Sequence, residues 1–276
     1  MSLQLGVTIF FEHPEEVEAV APAVQQFPFV KYVEFRGEIP FFFPQYFTKR
    51  DARRFQALLQ QLNLKATVHA TMYDINLATL NPYLHKANIQ CYKKFIDMAA
   101  MVGAEVLVVH DGHLPLEYAH HRQQAHYRQK ARDALKEALW ALGDYGKTRG
   151  IQIALENAPP TAAHASLIWN AENHIEFLEE LNHPQVGALL DIAHASLHRL
   201  DIIDYLKRIR PYLREIHAHN NWGEEDDHLG LHEGAINYRD LLSLPEMHDV
   251  PLIMEIKSYP DILATLQWLS QHIVTT

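Results

Sequence analysis

Sulfur is scarce in this chain: Cys91 is the single cysteine among 276 residues. A lone thiol excludes an internal disulfide framework and suits a reducing compartment, so a cytoplasmic location is expected. Basic residues are also few. Against 24 lysines and arginines stand 34 acids, for a formal charge of −10. That balance argues against a broad phosphate-binding surface, which draws on clustered Lys and Arg, although bound divalent cations can invert the local sign. Long apolar runs are missing. The most apolar stretch, Phe95 to His110, carries Asp97 and Glu105, and nothing is long and uncharged enough to span a bilayer. Met1-Ser2-Leu3-Gln4-Leu5 lacks a basic head and Glu12 follows early, so no secretory leader is expected. No linker or low-complexity tract divides the chain, and residues 1–276 read as a single domain.

What recurs is a short apolar run followed by a turn. Eight such runs lie near 4–10, 30–36, 65–70, 105–111, 151–157, 186–192, 213–219 and 251–257. Helical patterns fill the gaps. Residues 84–102 set Ile89, Tyr92, Ile96 and Ala99 on one stripe. Residues 120–149 set Ala131, Leu135, Leu139 and Leu142 on another, with Arg149-Gly150 as a stop. Thr48 followed by Asp51 has the form of a capping box opening the second helix. Apolar strands alternating with helices are parallel βαβ units. With a usual length of about 250 residues for such folds, the expected architecture is an α/β (β/α)8 TIM barrel. An open doubly wound sheet is the alternative, but it would gather ligands mainly at one switch point.

Six runs end on a residue able to hold a metal: His69, His110, Glu156, Asp191, His217 and Glu255. In a closed barrel these ends open onto one face, where the chemistry sits. Glu156, Asp191, His217 and Glu255 come from four strands. Mixed carboxylate and imidazole ligands suit Mn²⁺, Zn²⁺, Co²⁺ or Mg²⁺ and exclude soft thiolate sites. The alternative is a set of buried ionic residues holding the barrel, but acids without an Arg or Lys partner would repel one another, and a cation resolves that. His194 follows Asp191 by three residues, and Asp226 and His228 are spaced to point the same way in extended chain. Of the 19 histidines, His120, His121 and His126 read as solvated surface.

Three connecting loops are long. Ile39-Pro40-Phe41-Phe42-Phe43-Pro44-Gln45-Tyr46-Phe47 is rich in aromatics. It reads as a satellite cluster over the next helix, as a substrate lid, or as a contact in a homo-oligomer. The others run from Asn157 to Asn170 and from Asn220 to Asn237, the latter placed just before the last full helix.

Five segments give the chain a family resemblance: His69-Ala70-Thr71-Met72-Tyr73-Asp74-Ile75-Asn76-Leu77-Ala78, Val108-Val109-His110, Leu155-Glu156-Asn157, Leu190-Asp191-Ile192-Ala193-His194, and Asp226 to Gly234, with Glu255 closing the set. It resembles the xylose-isomerase-like barrel superfamily, which holds sugar and sugar-phosphate isomerases and epimerases alongside apurinic-site endonucleases of the endonuclease IV type. The endonuclease branch implies three zinc ions: one on His69, His110 and Glu156; one on Glu156, Asp191, His217 and Glu255; one on His194, Asp226 and His228. The isomerase branch implies a single divalent ion on Glu156, Asp191, His217 and Glu255, with Glu156 and Glu255 also moving protons through a metal-stabilised enediolate. The Asp74-Ile75-Asn76 form resembles the sugar enzymes. The stretch after the second run lacks the Asn/Arg-rich loop that inserts into DNA, and with the acidic charge this makes a base-flipping DNA enzyme the second choice. His219 stands where an Asp is common, and His232 where a Gly is usual.

The expectation is therefore a metal-dependent sugar or sugar-phosphate isomerase or epimerase, with no membrane partner. Its substrate contacts are expected at His194, Lys257, Arg36 and Trp222, with a salt bridge to Glu34 or Glu38 as the alternative for Arg36. The alternatives are a zinc phosphodiesterase acting on abasic DNA and a non-catalytic metal-binding barrel.

Overall fold

The computed structural model describes residues 3–9, 14–39 and 42–273. Eight parallel strands close on themselves: β1 (Gln4–Ile9), β2 (Val30–Arg36), β3 (Lys65–His69), β4 (Ala104–His110), β5 (Gln152–Glu156), β6 (Val186–Asp191), β7 (Leu213–Ala218) and β8 (Pro251–Met254). β1 pairs with both β8 and β2, which completes the barrel and excludes the open sheet. Every strand begins and ends within a few residues of its sequence expectation, because apolar runs buried on both faces leave little freedom in placement.

Register does the work that matters for a site. Arg36 lies opposite His69, His110 opposite Glu156, and Asp191 opposite His217. Glu255 directly follows β8 and donates its backbone N–H to Ala218 at 3.1 Å. The strand ends thus align around one mouth.

Helices pack outside, and their limits follow local chemistry. Lys49–Leu62 opens on the expected reciprocal box between Thr48 and Asp51 and closes at Asn63, which adopts the left-handed conformation at φ 54°. Pro82–Val102 has Asn81 as its cap, Pro82 in its first turn and Gly103 at φ 80° past its end. The helix expected over 120–149 spans Gln124–Lys147, and a separate single turn, Leu116–Ala119, lies before it with a break between. His120 and His126 are exposed beside that break and His121 half-buried.

Two expectations change. The loop after Asn157 contains a three-residue strand, His164–Ser166, paired antiparallel with His113–Pro115 beyond β4. The Asn220–Asn237 segment is followed by a single turn, Tyr238–Leu241, and the last full helix, Tyr259–His272, comes only after β8. Asn220 fixes this segment from within, its side-chain amide donating to the carbonyls of Leu231 and Ile236 at 3.3 and 3.0 Å.

The aromatic loop is largely satisfied by its own neighbours. Phe42 and Phe47 are buried with Phe35 and Phe55, and Phe43 meets Phe95 edge-on at 5.4 Å. Tyr46 stays exposed, while Pro40 and Phe41 lie outside the described residues. Among the described residues, no helix is long and apolar enough to cross a membrane.

Candidate metal centre

The strand ends carry their side chains into one polar cluster. Glu156 is at its middle, with His110 Nε2 at 3.2 Å and His69 Nε2 at 3.3 Å from one carboxylate oxygen. The other oxygen faces His194 Nδ1 at 3.5 Å and His217 Nδ1 at 3.7 Å. Glu255 approaches the same His217 Nδ1 at 3.2 Å. Farther out, Asp226 meets His194 Nε2 at 3.4 Å and His228 Nε2 at 3.2 Å. The nine residues expected as ligands fall into groups whose donor atoms lie within 4.8 Å of one another, except that His194 is grouped with Asp191 and His219.

Backbone partners aim the imidazoles. In His69, His194 and His228, Nδ1–H donates to the carbonyl oxygens of Ala70, Asn157 and Glu255 at 2.7, 2.8 and 2.8 Å. That choice of tautomer leaves Nε2 as the free donor atom. His217 is turned the other way. Its Nε2 faces Glu34 at 3.2 Å and Glu215 at 3.4 Å, and its Nδ1, fully buried and without a hydrogen bond, points between Glu156 and Glu255. Asp191 is held on both sides: one oxygen caps the short helix Ile192–Leu197 by accepting from His194 N–H at 2.7 Å, and the other faces His219 at 3.1 Å.

Within the cluster, carboxylates and imidazoles shift one another's protonation. Burial works to raise the Glu156 carboxyl, but His110, His217 and His69 hold it well below its usual range. Burial opposes charge on His217, yet Glu34, Glu156 and Glu215 push it well above an ordinary imidazole. His194 rises to about 10 against its own burial, on the charge of Asp191 and Asp226. Desolvation takes the opposite course at His110 and His228, which fall to about 3 and about 4.

One assumption is corrected here. The acids do have a guanidinium partner: Arg36 pairs with Glu255, and with Glu38 at 3.5 Å. Of the two partners considered for Arg36, Glu38 is found and Glu34 is not. Glu34 turns into the barrel, accepting from Thr8 Oγ1 at 2.5 Å.

As members of the cluster, Glu34, Glu215 and His219 are not expected from sequence: Glu34 enters there only as a partner for Arg36, and His219 only as a departure from the family pattern. Glu215 precedes His217 by two residues, so strand periodicity already put both on one face. Lys257 lines the mouth with its Nζ 3.5 Å from the Asp226 carbonyl. Trp222 stands exposed and does not line the cavity over the cluster, where a substrate contact was expected.

That cavity has ≈190 Å³ and is lined by Arg36, His69, His110, Glu156, His194 and Glu255, among others. At roughly 30 Å³ per water it holds about six waters, the scale of a small polar molecule.

Residues 30–272 match the model of the xylose isomerase-like TIM barrel family, and the chain belongs to it. An uncharacterised protein of Methanocaldococcus jannaschii is 25% identical over 83% of this chain and 76% of its own length. A probable endonuclease 4 of Solibacter usitatus is 26% identical over 72% of each chain. Among solved structures, a D-tagatose 3-epimerase-like protein superposes with a TM-score of 0.84 at 23% identity, over 98% of this chain and 97% of that one.

Proposed function

We propose that the protein is a divalent-metal-dependent isomerase or epimerase of a small sugar or sugar phosphate. The observation that carries this reading is the pair of carboxylates, Glu156 and Glu255, both facing one buried, unbonded imidazole nitrogen at 3.7 and 3.2 Å. Hard oxygen donors with one imidazole fit a divalent cation, and a cation removes the need to charge His217. Glu156, Asp191, His217 and Glu255 would hold it. When bound, the ion would polarise neighbouring carbonyl and hydroxyl oxygens of a sugar.

The chain's own groups supply the proton chemistry. One glutamate takes the proton from the carbon next to the carbonyl, leaving an enediolate. The other returns a proton, to the opposite face of that carbon for epimerisation or to the adjacent carbon for isomerisation. Arg36 occupies Oε1 of Glu255 and leaves Oε2 turned toward the cluster. This fixes the carboxylate before substrate arrives, and such positioning accounts for much of catalytic rate. His194 and Lys257 are placed to orient sugar oxygens.

Incubating the enzyme with a panel of ketoses and ketose phosphates in deuterium oxide tests the reading: deuterium should enter a carbon-bound position of at least one sugar. A second reading, metal-assisted cleavage of abasic DNA, is favoured by the full set of nine ligand types and by the likeness to a probable endonuclease 4. Native mass spectrometry separates the two. One ion per chain supports the isomerase or epimerase, whereas three zincs with cleavage of an abasic oligonucleotide and no deuterium uptake would reverse the order.

A further inference from the structure

Beside the cluster lies a second chamber of ≈560 Å³, nearly three times the volume of the first. Arg36, Tyr73 and Lys257 line both, so the two adjoin. A monosaccharide held at Glu156 and Glu255 would leave most of this space to water. Tyr73 and Ile39 present large apolar surfaces here, 66% and 65% exposed, and Phe43 adds an aromatic face. Glu38, Asp74 and Asn88 line the same chamber. Flat apolar surface interleaved with carboxylates and an amide suits a sugar ring, whose C–H faces lie on apolar groups while its hydroxyls donate to oxygens. The charge is balanced: the lining carries Arg36 and Lys257 against Glu38 and Asp74, and Arg36 is already engaged by Glu255 and Glu38. A phosphate draws on a surplus of cationic donors that this lining lacks.

We infer that the chamber takes a second, uncharged sugar ring, so that the substrate is a glycosylated ketose. The inference rests on the isomerase or epimerase reading and narrows its substrate class.

Cys91, the chain's one thiol, lines the chamber and is half-buried, so its alkylation reports occupancy independently of turnover. The probes are the ketose disaccharides maltulose, isomaltulose and turanose, with fructose and a fructose phosphate as comparisons. At least one disaccharide should slow alkylation of Cys91 by about tenfold, and fructose and its phosphate should leave the rate nearly unchanged. Ala87→Trp, at an exposed helical position in the lining, should abolish that protection and lower kcat/KM for the disaccharide about tenfold, with deuterium exchange into the free ketose intact. Failure of every disaccharide to protect Cys91, or better protection by the phosphate, overturns the assignment. Protection without deuterium uptake by any sugar leaves the chamber assigned and removes the isomerase or epimerase reading instead.

Discussion

At the residue scale, the decisive device is the inversion of His217 relative to its neighbours. Three imidazoles are aimed by carbonyl oxygens, and this one by carboxylates inside the barrel. Glu215 is pushed up to about 8 by burial and by the charge of Glu34, so near neutrality Glu34 carries the charge and Glu215 the proton. An ionised partner on the far nitrogen strengthens an imidazole as a ligand. Glu34→Gln should therefore weaken divalent-metal binding about 10–100-fold, read by competition with a chelating dye, while the far-ultraviolet circular dichroism is retained. Glu255→Gln should abolish deuterium exchange with the fold intact; full retained activity would remove Glu255 from proton transfer. Metal uptake should also release protons at pH 7, because His217 is charged without an ion and binds metal only when neutral. Titration calorimetry in buffers of differing ionisation enthalpy measures that release. The ligand types at strand ends were legible in sequence because the apolar run points to its own last residue. The Glu34–His217–Glu215 contact was not, since it joins β2 to β7 through the barrel interior and has no local signature.

At the scale of elements, the chain's punctuation was readable where it was chemical. The reciprocal hydrogen bonds of Thr48 and Asp51 were written in the spacing alone, and Thr48→Ala should cost about 1 kcal/mol in denaturant unfolding. The paired strands His113–Pro115 and His164–Ser166 were unreadable for the opposite reason. Three residues are too few to show a period, and their partners are brought together by the barrel. Asp111 helps set that neighbourhood by accepting backbone N–H groups of Leu167 and Ile168 at 2.6 and 2.7 Å. The aromatic loop shows how composition misleads about exposure: its rings mostly face inward onto Phe35, Phe55 and Phe95. As support for an oligomer, Tyr46 and Ile39 are the large apolar residues that remain outward among its described residues.

At the scale of the molecule, buried histidines set the response to acid. His174 is fully enclosed against Tyr205, and burial pushes it down to about 3 from an ordinary 6.5. Its folded form is neutral. Its contribution to stability is therefore complete above pH 6.5 and falls as pH drops toward 3, by up to about 1.4 kcal/mol per pH unit. Replacing His174 with Gln should make the slope of unfolding free energy against pH shallower by about one proton in that window. Adding Mn²⁺ or Zn²⁺ to chelator-treated protein should raise Tm, since an ion bound only by the folded barrel stabilises it by about 2.7 kcal/mol at a hundred times its Kd.

Apart from Lys257, every residue lining the larger chamber falls between Arg36 and Cys91, whereas eight of the nine candidate ligands lie from His110 onward. In the proposed reading, one contiguous stretch of gene carries most of what would admit a substrate, and it also lends Arg36 and His69 to the cluster. Recombination across that stretch between relatives would trade appetite for appetite, provided those two residues travel unchanged.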